Sequence, residues 1–187
     1  MKFRRLIVLI ILMIVAFFAG NYIIKEKVFP FRHKEVICKY SKENNLDPYL
    51  VVSVIMAESK FQQDAISNQN AKGLMQITEE TAEWIAKKMG LKDYTPEKLY
   101  EEEYNIKMGC WYLNNLREEF LDIDLFVAAY NAGRGRVNEW LENKEYSKDG
   151  KHLTYIPYKE TKNYVDKVKT YYKIYSKLYG ENYTTKK

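Results

Sequence analysis

The sequence is poor in the residue types that usually hold metal ions. It contains two cysteines, Cys38 and Cys110, and two histidines, His33 and His152, and they lack the spacing of a metal site. We therefore expect no metal site and no cofactor, and we expect both histidines at the surface. The cysteines either form one disulfide bond or remain buried free thiols, because separation in sequence gives no distance.

An excess of basic charge is missing from most of the chain. The formal net charge is +5, from 30 Lys and Arg against 25 Asp and Glu. Three of the basic residues are Lys2, Arg4 and Arg5, and no acidic residue precedes Glu26, so 27 basic residues face 25 acidic ones in the remainder. Nucleic-acid binding requires a basic field, so we expect no nucleic-acid partner.

The sequence also lacks the persistent alternation of apolar and polar residues that indicates β-strands, and it has no internal repeat. Apolar residues recur instead at helical intervals, between residues that typically start and stop helices. The predicted helices cover about 36–44, 48–58, 79–89, 101–120, 125–130, a short segment around 137–141, and 159–179. These helices predict an all-α domain.

Two of the predicted helices have recognisable buried faces. In the helix at 79–89, we expect Trp84, Ile85 and Met89 to face inward. In the helix at 101–120, Gly109 lies on the apolar face and permits another part of the chain to pack closely.

Charge is absent from residues 6–24, which follow the basic cluster at 2–5. This run is long enough to cross a bilayer as a helix, and the basic cluster predicts a cytoplasmic N-terminus. The chain would then be a single-pass protein of the cytoplasmic membrane with an extracytoplasmic domain. A cleaved signal peptide is the alternative, although cleavage after Ala19 would place bulky Phe17 where a small residue is preferred. The predicted parts are a cytoplasmic stub and transmembrane anchor at 1–24, a linker at 25–34, a helical domain at 35–179 and a flexible tail at 180–187.

Glu58 is an unusual acidic residue because it directly follows the apolar segment 49–57. Its carboxyl is therefore carried on the last turn of a largely buried helix. The negative end of the helix dipole and the loss of hydration both favour the protonated form there. A glutamic acid that stays protonated near neutral pH is a general acid. The alternative is that Glu58 only marks the point where the helix reaches solvent.

Four short motifs occur in the order and spacing of one known family. They are Glu58-Ser59-Lys60-Phe61, Ala65-Ile66-Ser67, Gly73-Leu74-Met75-Gln76-Ile77 and Ala129-Tyr130-Asn131-Ala132-Gly133. From roughly Val36 to Tyr172, the chain resembles the soluble lytic transglycosylase family, whose fold is similar to goose-type lysozyme. The resemblance implies that the domain at 35–179 is a lysozyme-like catalytic domain whose partner is the glycan strand of peptidoglycan.

The resemblance also implies a mechanism with one acid. Glu58 would protonate the leaving oxygen of the MurNAc-β-1,4-GlcNAc bond, and the substrate's N-acetyl group would stabilise the intermediate. The C6 hydroxyl of the same sugar would then attack C1 with Glu58 as base, giving a 1,6-anhydro product without water. Most glycosidases use a second carboxylate; Asp64 is the nearest in sequence, and we interpret it as a solvated or capping residue. The alternatives are a hydrolytic goose-type muramidase and a non-catalytic glycan-binding module of an envelope assembly.

Further site residues are implied by the same resemblance. Glu160-Thr161-Lys162-Asn163-Tyr164-Val165 is similar to the family's Glu-Thr-Arg-Asn-Tyr-Val motif, whose glutamate supports the site. The implied substrate-binding residues are Ser67, Met75, Gln76, Tyr130, Asn131, Glu160 and Tyr164. Structural roles remain open for several of them: a turn for Ser67, the core for Met75 and Tyr130, and a first-turn charge for Glu160. A second acid in the cleft would also raise the pKa of Glu58.

The sequence departs from the family pattern on both sides of the Gly-Leu-Met-Gln motif. Asn70-Ala71 replaces a common Gly-Ala, and Thr78-Glu79 replaces Met-Pro. Asparagine tolerates positive φ, so we expect the backbone shape to survive at Asn70. Thr78 removes a methionine that the family places near a sugar, which alters a subsite but not the role of Glu58.

Overall fold

The computed structural model describes residues 2–180, which form two units. The first unit ends at Arg32 and the second begins at His33. Residues 181–187, which make up nearly all of the predicted flexible tail, lie outside the described residues.

The first unit is built on an apolar helix, α1 (Lys2–Ile23), which continues as a π-helical turn at Ile24–Val28. The apolar side chains of this segment are exposed. By length and composition, it is the one helix within residues 2–180 that could cross a membrane. The predicted apolar N-terminal helix is therefore confirmed. The segment predicted as a linker, 25–34, begins as a continuation of this helix.

The second unit is all-α within the described residues. Its helices are α2 (Lys34–Glu43), α3 (Pro48–Glu58), α4 (Glu79–Met89), α5 (Glu102–Phe120), α6 (Ile123–Ala132), α7 (Arg134–Glu142) and α8 (Lys159–Tyr179), with a 3-10 turn at Pro96–Tyr100. No strand occurs in the described part of this unit, and the loop before α4 contains two isolated backbone bridges, Ile66 with Lys72 and Lys72 with Ile77. The all-α prediction is confirmed.

Helix α3 is buried over most of its length. Its start follows from Asp47, whose carboxylate accepts a hydrogen bond from the backbone N–H of Tyr49 at 2.8 Å, and from Pro48 at the first helical position. All residues from 48 to 55 are buried, and the helix packs against α2 and α8. Because α3 is apolar on every face, side chains become accessible only in its last turn, which carries Glu58.

A buried asparagine fastens the loop before α4 to α5. The Asn105 side chain accepts from the N–H of Met75 at 2.8 Å and donates to the carbonyl oxygens of Lys72 at 3.0 Å and Leu99 at 2.8 Å. Gly73 has a φ of +77°, and a Cβ at this position would collide with the Leu99 carbonyl oxygen. The loop can therefore approach α5 this closely only with glycine at position 73.

Capping residues set the helix boundaries near the loop. Thr78 accepts a hydrogen bond in the first turn of α4, and Gly90 ends that helix with a φ of +67°. Asp122 accepts hydrogen bonds from the first N–H groups of α6. The bounds of α4 agree with the predicted helix at 79–89, whereas α6 extends two residues beyond the predicted 125–130 at each end.

The predicted inward face of α4 is only partly correct. Ile85 is buried, whereas Trp84 and Met89 are half-buried. Trp84 packs along the surface against Trp111, with ring centroids 5.7 Å apart, and the Arg134 guanidinium lies 5.0 Å from its ring centroid. A cation and aromatic neighbours therefore cover Trp84, rather than the apolar core.

The cysteines do not form a disulfide bond. Cys110 is buried and Cys38 is half-buried, and burial raises the pKa of the Cys110 thiol far above its usual value. Of the histidines, His152 is exposed as expected. The expectation for His33 was wrong, because its ring is half-buried with Nδ1 2.7 Å from a carboxylate oxygen of Glu102.

Candidate active site

The second unit contains an open cleft of about 730 Å³. Its walls are formed by the loop before α4, by α5, by the junction of α6 and α7, and by the start of α8. This volume lies in the range of known ligand sites. The predicted site residues that line the cleft are Glu58, Ser67, Gln76, Tyr130, Asn131 and Glu160. Met75 and Tyr164 are not among the lining residues.

Glu58 is half-buried at the end of α3, where protein surrounds its carboxyl group and the side chain reaches the cleft. Its Oε1 atom accepts a hydrogen bond from the Tyr164 hydroxyl at 2.6 Å. Burial raises the pKa of Glu58 to about 7, while the Tyr164 hydrogen bond and the charge of Lys167 act in the opposite direction. Burial is the largest of these effects because an enclosed carboxylate loses hydration. The carboxyl can therefore both release and regain a proton near neutral pH.

Tyr164 supports Glu58 from α8 instead of facing the cleft. Its side chain is buried, and burial together with the charge of Glu58 raises its pKa well above the usual value. The phenol therefore keeps its proton and remains a hydrogen-bond donor to the carboxylate form of Glu58. Tyr164 contacts the predicted acid directly. It can affect a substrate in the cleft only through Glu58.

Tyr130 ties the end of α6 to the loop before α4. Its hydroxyl donates to the backbone carbonyl oxygen of Met75 at 2.8 Å, and its ring lies 5.5 Å from the ring of Tyr112, centroid to centroid. The Met75 side chain itself is fully buried, and its sulfur lies where a Cβ on Gly109 would be. Gly109 thus permits the predicted close packing. The structure brings the backbone of Met75 to the site and leaves its side chain in the core.

The loop before α4 is shaped by internal hydrogen bonds and by positive backbone angles. The Gln76 side-chain amide donates to the carbonyl oxygens of Ala65 at 3.0 Å and Gly73 at 2.9 Å, and Gln76 itself has a φ of +48°. Ser67 lines the cleft and accepts from two N–H groups of the same loop, the nearer at 3.1 Å. Asn70 has a φ of +59°, which agrees with the expectation that it replaces glycine there.

Two further predicted residues lie at the exposed edge of the cleft. Asn131 is at the end of α6, and Glu160 is in the first turn of α8. Glu160 is not among the groups that raise the pKa of Glu58, so the idea that a second acid does so is wrong. Burial alone has that effect.

The cleft is mostly polar and uncharged. Of the described residues that line it, Glu58 and Glu160 are the only carboxylic acids and Arg136 is the only basic residue. The other polar lining residues carry hydroxyl and amide groups, which pair with sugar hydroxyls as donors and acceptors. Within residues 2–180, no group of three or more His, Cys, Asp or Glu side chains is placed to hold a metal ion.

Sequence reasoning missed several lining residues, among them Tyr112, Arg136 and Tyr158, and one neighbour of the site. Tyr112 stands beside Tyr130, and the Arg136 guanidinium lies 5.6 Å from the ring centroid of Tyr158. Arg136 and Tyr158 lie within three residues of recognised motifs, and this proximity was the available signal. The neighbour is Lys167, which lies two residues beyond the motif at 160–165 and whose Nζ donates to the carbonyl oxygen of Ala57 at 3.1 Å.

The chain is similar to known proteins in sequence and in structure. Residues 35–153 match the family described as Transglycosylase SLT domain. The chain is 33% identical over 159 residues to the soluble lytic murein transglycosylase of Salmonella typhimurium, covering 83% of this chain and 25% of that protein. It is 32% identical to membrane-bound lytic murein transglycosylase F of Desulfosudis oleivorans, covering 76% of this chain and 36% of that protein.

A solved structure is also similar. An inactive mutant of the lytic transglycosylase Slt from Pseudomonas aeruginosa, in which a glutamate is replaced by glutamine, superposes with a TM-score of 0.70 at 31% identity. The match covers 80% of this chain and 24% of that one, so this chain spans about a quarter of that protein. The segment matched by the family, residues 35–153, makes up more than half of the chain and contains Glu58 and the loop before α4. The chain therefore belongs to the transglycosylase SLT domain family.

Proposed function

We propose that this protein is a peptidoglycan lytic transglycosylase that cleaves the MurNAc-β-1,4-GlcNAc bond and leaves a 1,6-anhydroMurNAc end. The observation that carries the proposal is the enclosed carboxyl of Glu58, which reaches a polar cleft and has a pKa raised to about 7. The names of the murein transglycosylases that it resembles support the substrate class. The inactive glutamine mutant of the Pseudomonas protein supports a glutamate as the essential group.

In the first step, protonated Glu58 gives its proton to the oxygen that links the two sugars. The bond between C1 and that oxygen then breaks, and the N-acetyl oxygen of the same MurNAc stabilises the positive charge at C1. With a pKa of about 7, a large fraction of Glu58 carries the required proton at neutral pH.

In the second step, the Glu58 carboxylate accepts the proton of the C6 hydroxyl as that oxygen attacks C1. The anhydro ring closes, Glu58 regains its proton, and no water is consumed. Among the described residues that line the cleft, the only other carboxyl is that of Glu160, which is exposed. Asp64 is exposed and does not line the cleft. This arrangement favours one group acting as acid and then base over a pair of carboxylates.

The residues around Glu58 have different proposed roles. Tyr164 orients the carboxyl, and Tyr130 fixes the loop through the Met75 carbonyl. Gln76 holds the same loop from within. The sugar contacts are assigned to the accessible side chains of the cleft, Ser67, Asn131 and Glu160. Met75 contributes through its backbone.

We also propose that α1 anchors the protein in the cytoplasmic membrane, with the N-terminus inside and the catalytic unit outside. Arg4 and Arg5 precede the apolar segment, as the positive-inside rule requires. The similarity to a protein named as membrane-bound supports the anchor. Intact-mass analysis of the protein from membranes tests it: we expect the uncleaved chain, and a shorter chain in the soluble fraction would indicate a signal peptide.

The proposed reaction can be tested by mass spectrometry of the muropeptides that the full chain releases from purified sacculi. We expect products with 1,6-anhydro ends from the wild type and none from Glu58→Gln, which removes the titrating proton at little steric change. New reducing ends would instead indicate a hydrolytic muramidase. Sacculus binding without release would indicate a non-catalytic module, and activity in Glu58→Gln would contradict the mechanism.

A further inference from the structure

From outside the cleft, Lys167 lies beside the end of α3, which carries Glu58, and beside Tyr164, which donates a hydrogen bond to Glu58. Its Nζ donates to the carbonyl oxygen of Ala57 at 3.1 Å, in the last turn of α3. The same Nζ lies 6.0 Å from the ring centroid of Tyr164, the residue whose hydroxyl is bonded to Glu58. One exposed cation on α8 thus adjoins both the helix end that carries Glu58 and its hydrogen-bond donor.

We infer that Lys167 is a positioning residue that sets the pH range of the reaction by favouring the carboxylate form of Glu58. The inference rests on the proposed role of Glu58 as acid and base. No sequence motif includes Lys167, and its side chain does not line the cleft. Its effect therefore has to pass through Glu58.

The physical basis is the charge at the end of α3. The unpaired carbonyl groups of a helix C-terminus give that end a partial negative charge, which opposes ionisation of Glu58. A cation bonded to one of these carbonyl groups offsets that charge. Burial acts in the other direction and dominates, so the pKa of Glu58 is about 7 with Lys167 present. Without Lys167, the pKa would be higher.

The other groups that face Glu58 do not supply a comparable charge. Tyr164 on α8 and Tyr130 on α6 keep their protons, because burial raises the pKa of each well above the usual value. Glu160 on α8 and Arg136 on α7 also line the cleft, are exposed, and have opposite charges. Of the described charged groups, Lys167 is the one that acts on the pKa of Glu58.

The consequence concerns the balance of the two proposed steps. A higher pKa keeps more of Glu58 protonated for the first step and extends activity to higher pH. We therefore expect Lys167 to narrow the alkaline side of the pH range. Because Lys167 is exposed, salt should weaken its effect.

The test is the pH dependence of the initial rate on purified sacculi, at low substrate, for the full chain in detergent. Lys167→Met should move the alkaline limb upward by roughly 0.2 to 0.7 pH units, the size expected for a charge at a helix end. Lys167→Arg should keep the wild-type limb, because it retains the charge. Lys173→Met is the matched control, since Lys173 is exposed on the same helix six residues further on.

The salt dependence of the pH–rate profile provides a second measurement of the protonation of Glu58. In the wild type, the alkaline limb should move upward as ionic strength rises from low values to about 0.5 M, and in Lys167→Met it should move less. Equal limbs in the wild type, Lys167→Met and Lys173→Met would overturn the inference while leaving the role of Glu58 intact. An active Glu58→Gln variant would instead overturn the proposed function itself. A shift of the limb in Lys167→Met with unchanged thermal stability supports the inference.

Discussion

The raised pKa of Glu58 predicts that replacing this residue stabilises the fold in a pH-dependent manner. The ordinary pKa of the carboxyl is 4.5, and burial raises it to about 7 in the folded chain. Between these values the unfolded chain releases the proton while the folded chain retains it. Folding stability contributed by this group therefore falls as pH rises from about 4.5 to about 7. Glu58→Gln has no proton to release and avoids this loss.

The size of the effect follows from the two pKa values. One pKa unit corresponds to about 1.4 kcal/mol of difference between the two protonation states. The rise from 4.5 to about 7 thus corresponds to at most about 3.5 kcal/mol of destabilisation in the wild type above neutral pH. Below about pH 4, the carboxyl is neutral in both states and this difference vanishes.

The assay is urea unfolding of the full chain, followed by tryptophan fluorescence. All three tryptophans, Trp84, Trp111 and Trp140, lie in the second unit, so the signal reports on the unit that contains Glu58. We expect the stability advantage of Glu58→Gln over the wild type to grow by about 2 to 3 kcal/mol as the pH rises from about 4 to about 8.5.

A matched control is available on another helix. Glu142 is the last residue of α7, as Glu58 is of α3, but it is exposed. Glu142→Gln should change stability by less than about 0.5 kcal/mol at either pH. The reasoning is refuted if the free energy of unfolding, relative to the wild type, increases no more for Glu58→Gln than for Glu142→Gln between about pH 4 and about pH 8.5.

Three other substitutions test the surroundings of Glu58. Tyr164→Phe removes the hydrogen bond that lowers the pKa of Glu58, so the alkaline limb of the pH–rate profile should rise by about one unit; an unchanged limb would contradict this. Tyr130→Phe leaves the Met75 carbonyl unpaired and should destabilise the second unit by about 1 to 3 kcal/mol in urea unfolding, and a loss below about 0.5 kcal/mol would contradict it. Gly109→Ala forces a Cβ onto the buried Met75 sulfur and should lower stability by about 1 to 3 kcal/mol; wild-type stability would show that the core adapts.

Local chemistry made much of the fold predictable from the sequence. Asp47 and Pro48 mark the start of α3, and Thr78 and Gly90 mark the two ends of α4. Such signals can be found in the sequence because capping depends on a few neighbouring atoms. The apolar segment before Glu58 likewise indicated an acid in a dehydrated place. The pKa of Glu58 is raised, as predicted, and burial, one of the two predicted causes, is the largest.

The remaining parts of the site depend on contacts between distant segments. The hydrogen bond from Tyr164 to Glu58 joins residues 106 positions apart, so no local pattern distinguishes a support for the acid from a substrate contact. Met75 and Gln76 are neighbours in one motif, yet only Gln76 lines the cleft. The backbone of this loop turns sharply, with positive φ at Gly73 and Gln76, and these turns direct Met75 into the core and Gln76 toward the cleft. The contact between Lys167 and Ala57 likewise joins residues 110 positions apart.

The most direct test of the central claim is the fate of water oxygen in the reaction. Sacculi are digested by the full chain in water enriched in oxygen-18, and the new glycan ends are analysed by mass spectrometry. If Glu58 accepts the proton of the C6 hydroxyl as that oxygen attacks C1, the wild type yields unlabelled anhydro ends. Glu58→Gln then yields none. New ends that carry oxygen-18 would contradict the account.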